Sequence, residues 1–186
     1  MKKAMNQRLI LGWIFGGMLL LQSCQSKLDK RMAEIEPAKK FISTILILDS
    51  IPSNYDALLY RFAVDFPQHP ESPQFLYAAG QIAERRKNGL RAAEYSAKFI
   101  ELYPKETKRR MEMAMVAGHY FEQNGEFEKA LKFYEILKKE FPKEDIGKQA
   151  ATTIEMIHAG AITPEEQLDY LIKKSISADT SNSSKN

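Results

Sequence analysis

Three histidines, His69, His119 and His158, and one cysteine, Cys24, are the side chains best suited to bind a metal or attack a substrate in this chain of 186 residues. None of the histidines has another His, a Cys or a carboxylate at a spacing that builds a zinc motif. There is no Gly-rich phosphate loop and no nucleophile elbow around a serine. His119 reads as a partly buried polar contact. The acidic residues are dispersed among lysines, as on solvated helix faces. The expectation is therefore no catalytic residue, no metal, no bound cofactor and no enzyme. Two basic groups, Arg85-Arg86-Lys87 and the run Lys105–Arg110, could meet an acidic partner or anionic headgroups; the plainer reading is surface charge near helix ends. Arg109 and Arg110 fall early in their helix, where the macrodipole disfavours cations, so they stand out from the rest.

Cys24 is the exception, because of what precedes it. Residues 1–8 are basic and free of acid, and Leu9–Leu21 is an apolar run of 13 residues. A spanning helix needs roughly 20 apolar residues, so the run fits a signal-peptide core better than a permanent span. A lone cysteine in an exported chain has no disulfide partner. Leu21-Gln22-Ser23-Cys24 resembles the bacterial lipoprotein box, although Gln22 departs from the small or aliphatic residue usual there. That resemblance implies cleavage before Cys24 and a covalent lipid on its thiol. Acyl chains contribute ~0.8 kcal/mol per buried CH₂, enough together for a lasting anchor. Loss of residues 1–23 also removes Lys2, Lys3 and Arg8, and the remaining basic residues then equal the 24 acidic ones. The basic pI of about 8.8 thus belongs to the targeting segment and carries no argument for nucleic acid.

The remainder reads as helices, with no strand-like alternation. Residues 24–36 form a charged tether or a frayed helical extension. Pro37 fits a first helical position, and Ala38–Leu48 follows with Phe41, Ile42, Ile45, Leu46 and Leu48 largely on one face. Further helices run over Tyr55–Phe66, Gln74–Lys87, Leu90–Tyr103, from Thr107 to the turn at Asn124-Gly125, from there to Phe141, and over Ile146–His158 and Gln167–Ile176. Ser53, Ser72, Thr107, Asp145 and Thr163 are the expected caps. Asn88-Gly89 reads as a helix stop in which Gly takes the left-handed conformation. Residues 177–186 are polar, with nothing to bury, and are expected to be disordered.

Three helix ends repeat. RFAVDFPQ, KFIELYPK and ILKKEFPK place an aromatic before Pro67, Pro104 and Pro142, and a large apolar residue five positions before each proline, at Phe62, Phe99 and Leu137. The spacings are 37 and 38 residues. Gly118 and Ala130, and Gly80 and Ala92, are small residues at the points where paired helices must cross. Phe121 and Tyr134 sit one turn away, placed to fill the wedge between pairs.

This pattern resembles the tetratricopeptide repeat family, whose period is roughly 34 residues. Residues 111–144 match best, with Gly118, Phe121, Ala130, Tyr134 and Pro142. Residues 73–106 match at Gly80, Ala92 and Pro104 but have Ala83 and Ser96 where aromatics belong. Residues 36–69 keep Pro67 and the apolar pattern. The resemblance implies an all-α, right-handed solenoid of about three hairpins over residues 37–176, with 145–176 as terminal cover. It implies a peptide groove lined by first helices, here Gln74, Tyr77, Gln81 and Glu84, then Glu112, Met115, His119 and Glu122. The carboxylate-clamp pattern that recognises acidic C-termini is absent. Together with the lipid anchor, the pattern is similar to the repeat lipoproteins of the outer membrane that serve barrel assembly or Tol-associated cell division. The expected role is a non-enzymatic scaffold for another envelope protein, facing the periplasm. Two alternatives are a self-associating structural lipoprotein and an accessory of peptidoglycan processing. The oligomeric state stays open.

Overall fold

The computed structural model describes residues 26–37, 39 and 51–183. Cys24, the segment 1–23, the apolar face Phe41–Leu48 and residues 184–186 lie outside them. All described elements are helices: α1 (residues 26–37), α2 (Tyr55–Asp65), α3 (Ser72–Arg85), α4 (Gly89–Leu102), α5 (Thr107–Gln123), α6 (Phe127–Glu140), α7 (Asp145–His158) and α8 (Pro164–Ser183). The chain divides into two compact units, residues 1–87 and 88–186, so the boundary falls in the turn of the expected second hairpin. Within the units consecutive helices pack on one another, α2 on α3 in the first and α4 through α7 in series in the second. This is an all-α, solenoid-like arrangement.

The three proline-ended helices finish alike. Phe66, Tyr103 and Phe141 have φ of −132°, −125° and −127°, and each N–H donates to the carbonyl four residues back. A proline drives the preceding residue out of the helical region, which fixes the stop. The residues at those carbonyls, Phe62, Phe99 and Leu137, are fully buried.

In the first unit Phe62 is the hub. Its ring meets Phe66, His69 and Phe75 at centroid distances of 5.3, 5.1 and 5.1 Å. His69 is thus a packing residue, and its Nδ1 accepts from the Glu71 N–H. The expected tether is instead part of this unit. Leu28, Met32 and Ile35 recur at helical spacing, Ile35 is buried, and Tyr55 donates its hydroxyl to the Ile35 carbonyl. Lys27 and Arg31 both reach Asp65. Pro37 accordingly lies within helical residues rather than opening them.

Arg86 is drawn inward. Its guanidinium donates to the carbonyls of Ile51, Pro52 and Ser53 and to Asp56, which is 1 % exposed. A carboxylate this deep requires a paired cation, so Arg86 is committed inside the molecule and Asp56 does not act as an exposed first-turn acid. Ser72 also differs from expectation. It lies in α3 and donates to the Phe66 carbonyl at 2.6 Å, closing the end of α2. At Thr107 and Asp145 the helices begin on the expected residue itself, with Glu106 and Glu144 in the cap positions.

The second unit depends on close approaches. A Cβ on Gly118 would stand 2.8 Å from the Tyr134 ring, and one on Gly89 would stand 2.4 Å from the Tyr120 ring. Gly89 is therefore required for contact; the left-handed residue in that turn is Lys87, φ 57°, and Asn88 caps α4 by accepting from Arg91 N–H. Gly125, φ 74°, is left-handed as its turn demands. Phe121 stacks on Phe133 at 5.7 Å. Arg110 forks onto both oxygens of Glu140 and donates to the Ile100 carbonyl, bracing α5 against α6 and α4. It is a structural brace, which explains a cation so early in its helix.

The C-terminal end corrects a further expectation. Helix α8 continues through Ser183, so residues 177–183 are helical rather than disordered. Nothing there breaks a helix, since no Gly or Pro follows Pro164, and propagation adds a backbone bond per residue once a turn exists.

Replacing Gly118 with Leu should cost about 2 kcal/mol or more through overpacking against Tyr134. Chemical unfolding of the variant beside the parent measures this, and an unchanged midpoint would contradict the α5–α6 contact.

Candidate functional site

The eight expected groove residues fall into two sets. Gln74, Tyr77, Gln81 and Glu84 are half-buried along α3 in the first unit, where Gln81 donates to the Tyr77 hydroxyl at 2.8 Å. Glu112, Met115, His119 and Glu122 share one face of α5 in the second unit. Two of the second set, His119 and Glu122, border a sizeable cavity.

That cavity has a volume of about 820 Å³ and opens to solvent. Its walls come from the end of α5 (His119, Glu122, Gln123), the Gly125 turn, Phe127 and Tyr134 of α6, Thr153 of α7, and Ile162 to Pro164 with Gln167 at the start of α8. His119 is exposed at the rim rather than partly buried, its ring 5.1 Å from Tyr120. Met115 is exposed and Glu112 half-buried farther along α5.

Glu122 is the fixed point. Tyr134 donates its hydroxyl to one carboxylate oxygen at 2.5 Å, and Gln167 donates its amide to the other at 3.0 Å. Burial, then the hydrogen bond and charge of Glu122, pushes the Tyr134 phenol well above its ordinary range. It therefore stays protonated and acts as a donor throughout the physiological range. The carboxylate keeps further lone pairs for a ligand, since each oxygen can accept more than one hydrogen bond. Around it Phe127, Ile162 and Pro164 supply apolar wall.

The α8 start is occupied by its own side chains. Glu166 reaches back to accept from the N–H groups of Ile162 and Thr163, both at 2.9 Å, while the Thr163 hydroxyl accepts from the Glu166 N–H. The sequence marks Thr163 as the cap, and the structure adds the reciprocal contact of Glu166, a capping box that places an internal carboxylate where an external anion would otherwise bind. Thr153 has its hydroxyl on the Gln149 carbonyl. Among the described residues no three metal-capable side chains cluster, and no helix is long and apolar enough to cross a membrane.

Two members of the site escape sequence reasoning. Gln167 lies 45 residues from Glu122 and carries no local signal. Tyr134 reads as packing, yet a tyrosine in a wedge position announces a polar partner for its hydroxyl. Compared with known protein families, curated proteins and solved structures, the chain matches none.

Charge holds helix α8 against α7. Glu155 accepts from Lys174 and from Tyr170, and its carboxyl is held below the usual range, by Lys174 first. Glu166 is lowered by the backbone N–H groups of Thr163 and Ile162, and Lys174 is raised by Glu155. The Glu155 carboxylate stabilises docked α8, and the Glu166 carboxylate the start of that helix, fully above their ordinary value of 4.5, and both contributions are lost as pH falls through the lower folded values. The Lys174 contribution is complete below 10.5 and fades as pH rises through its higher folded value. Hydrogen-exchange protection of residues 164–176 should therefore hold across neutral pH and fall on acidification below 4.5, with Glu155→Gln removing much of that acid dependence. Protection that ignores acid would contradict the charge-held docking of α8.

Proposed function

We propose that this chain is a lipid-anchored, tetratricopeptide-like scaffold that holds another protein of a bacterial envelope at the Glu122 cavity. The observation that carries the reading is the Glu122 carboxylate, held by Tyr134 and Gln167 at the wall of an open, partly aromatic cavity. A carboxylate beside Phe127 and Tyr134 suits a basic side chain on an extended or helical protein segment, where ion pairing and ring contact act together. The anion-attracting helix start next to it is already occupied by Glu166, which favours a cation over an acidic terminus as the guest.

The repeat likeness draws support from the three matching helix ends and from the Gly118 and Tyr134 contact. The anchor rests on the apolar run Leu9–Leu21 and on Leu21-Gln22-Ser23-Cys24. Gln25-Ser26-Lys27-Leu28 has no acid run, which favours the periplasmic face of the outer membrane. On this reading the scaffold serves envelope assembly or wall coordination and performs no catalysis of its own.

A photo-crosslinking residue in place of exposed His119 should capture the partner in cells, while one in place of Lys139 should not. Glu122→Gln should reduce the capture at position 119 strongly. Equal capture at both positions, or capture indifferent to Glu122→Gln, would remove the cavity from the account. Separately, Cys24→Ser should release the protein to the soluble fraction; retention in membranes would remove the anchor and leave the cavity claim standing.

A further inference from the structure

Helix α8 is turned the wrong way round for a terminal cover. Gln167, Tyr170 and Lys174 face the rest of the second unit, bonding Glu122 and Glu155. At about 100° per residue these three share one side of the helix, Leu168, Ile172 and Ile176 share the opposite side, and Leu171 lies on the flank between them. Those four are 59 %, 42 %, 47 % and 59 % exposed. A helix that spends its polar face inward and offers a contiguous apolar stripe outward marks an interaction surface, because scattered exposed leucines would not align this way.

We infer that α8 is a self-association helix, pairing antiparallel with α8 of a second copy through Leu168, Ile172 and Ile176, with Leu171 at the margin. The charge pattern selects this occupant. Asp169 and Lys173 lie on the same edge of the stripe, and neither forms an ion pair among the described residues. Equivalent edges meet when two such helices pack antiparallel about Ile172. Asp169 of each copy then lies within a few ångströms, along the axis, of Lys173 of the other at about 1.5 Å rise per residue. One patch meeting itself about a two-fold axis closes the assembly at a dimer. A lipid surface fits less well. Helix α8 carries Glu165, Glu166, Asp169 and Asp179 against Lys173 and Lys174, whereas interfacial helices are rich in basic residues that meet anionic headgroups. A single helix pair is a small contact, so the dimer is reversible and concentration-dependent. This inference is independent of what fills the Glu122 cavity.

Sedimentation of the full chain under reducing conditions, which keep Cys24 from linking copies, tests it. The parent should pass from monomer to dimer as concentration rises. Leu171→Asp with Ile172→Asp should remain monomeric at unchanged helicity, since both positions are exposed. Asp169→Lys alone and Lys173→Asp alone should each weaken the dimer by about tenfold, and the two together should restore it. With Cys24→Ser in place, Ile172→Cys should form a disulfide-linked dimer on mild oxidation. A parent that stays monomeric, dimers that survive the double aspartate change, or a charge swap that fails to recover association would each overturn the proposal. Binding of α8 to anionic vesicles in preference to a second copy would overturn it too.

Discussion

The ring of Tyr134 lies against the bare backbone of Gly118, and the second unit is built around that contact. Without a Cβ on α5, α6 can approach closely enough for the ring to fill the gap. The same approach carries the hydroxyl onto Glu122, one turn farther along α5. One pair of residues thus sets both the packing and the polarity of the site. Because the ring is buried, its phenol stays protonated, and Glu122 is oriented by a donor that cannot easily be lost. Gln167 completes the arrangement from α8, so the start of α8 forms one wall of the cavity.

Charged residues in this molecule divide by what they hold. Arg86 and Arg110, the most conspicuous members of the two basic groups, both turn inward, one onto Asp56 and three loop carbonyls, the other onto Glu140 and the Ile100 carbonyl. Planar guanidinium groups suit such multiple acceptance by carbonyl and carboxylate oxygens. The basic surface that the sequence suggests is therefore smaller than it looks. The acidic side chains Glu122, Glu155 and Glu166 instead order the C-terminal helix around the cavity.

Much of the architecture is legible in the residues, because it depends on local rules. The prolines at 67, 104 and 142 force the same backbone exit, and the small residues at 118 and 130 mark the α5–α6 crossing. Glu166 with Thr163 declares a helix start within four residues. What escapes is non-local or energetic. Asp56 and Arg86 are 30 residues apart and Glu122 and Gln167 are 45 apart, and neither separation follows a helical period. The Asn88-Gly89 turn misleads because Gly has two uses: the sequence suggests its backbone freedom, whereas the structure uses its lack of a side chain beside Tyr120. The folded tether and the long α8 escape for a third reason. Polar composition alone does not reveal that Ile35 is buried or that nothing interrupts the helix after Ile176.

The central claim is that Gly118, Tyr134 and Glu122 form one interaction that joins packing to the site. It is tested most directly by following the ionisation of Tyr134 with ¹³C-labelled tyrosine and NMR through an alkaline titration. The account predicts that the Tyr134 resonance stays protonated well past the ordinary value of 10.0, and that Glu122→Gln lowers its titration without bringing it fully to that value, because burial persists. A Tyr134 resonance that titrates near 10.0 in the parent, or that is unmoved by Glu122→Gln, would contradict it.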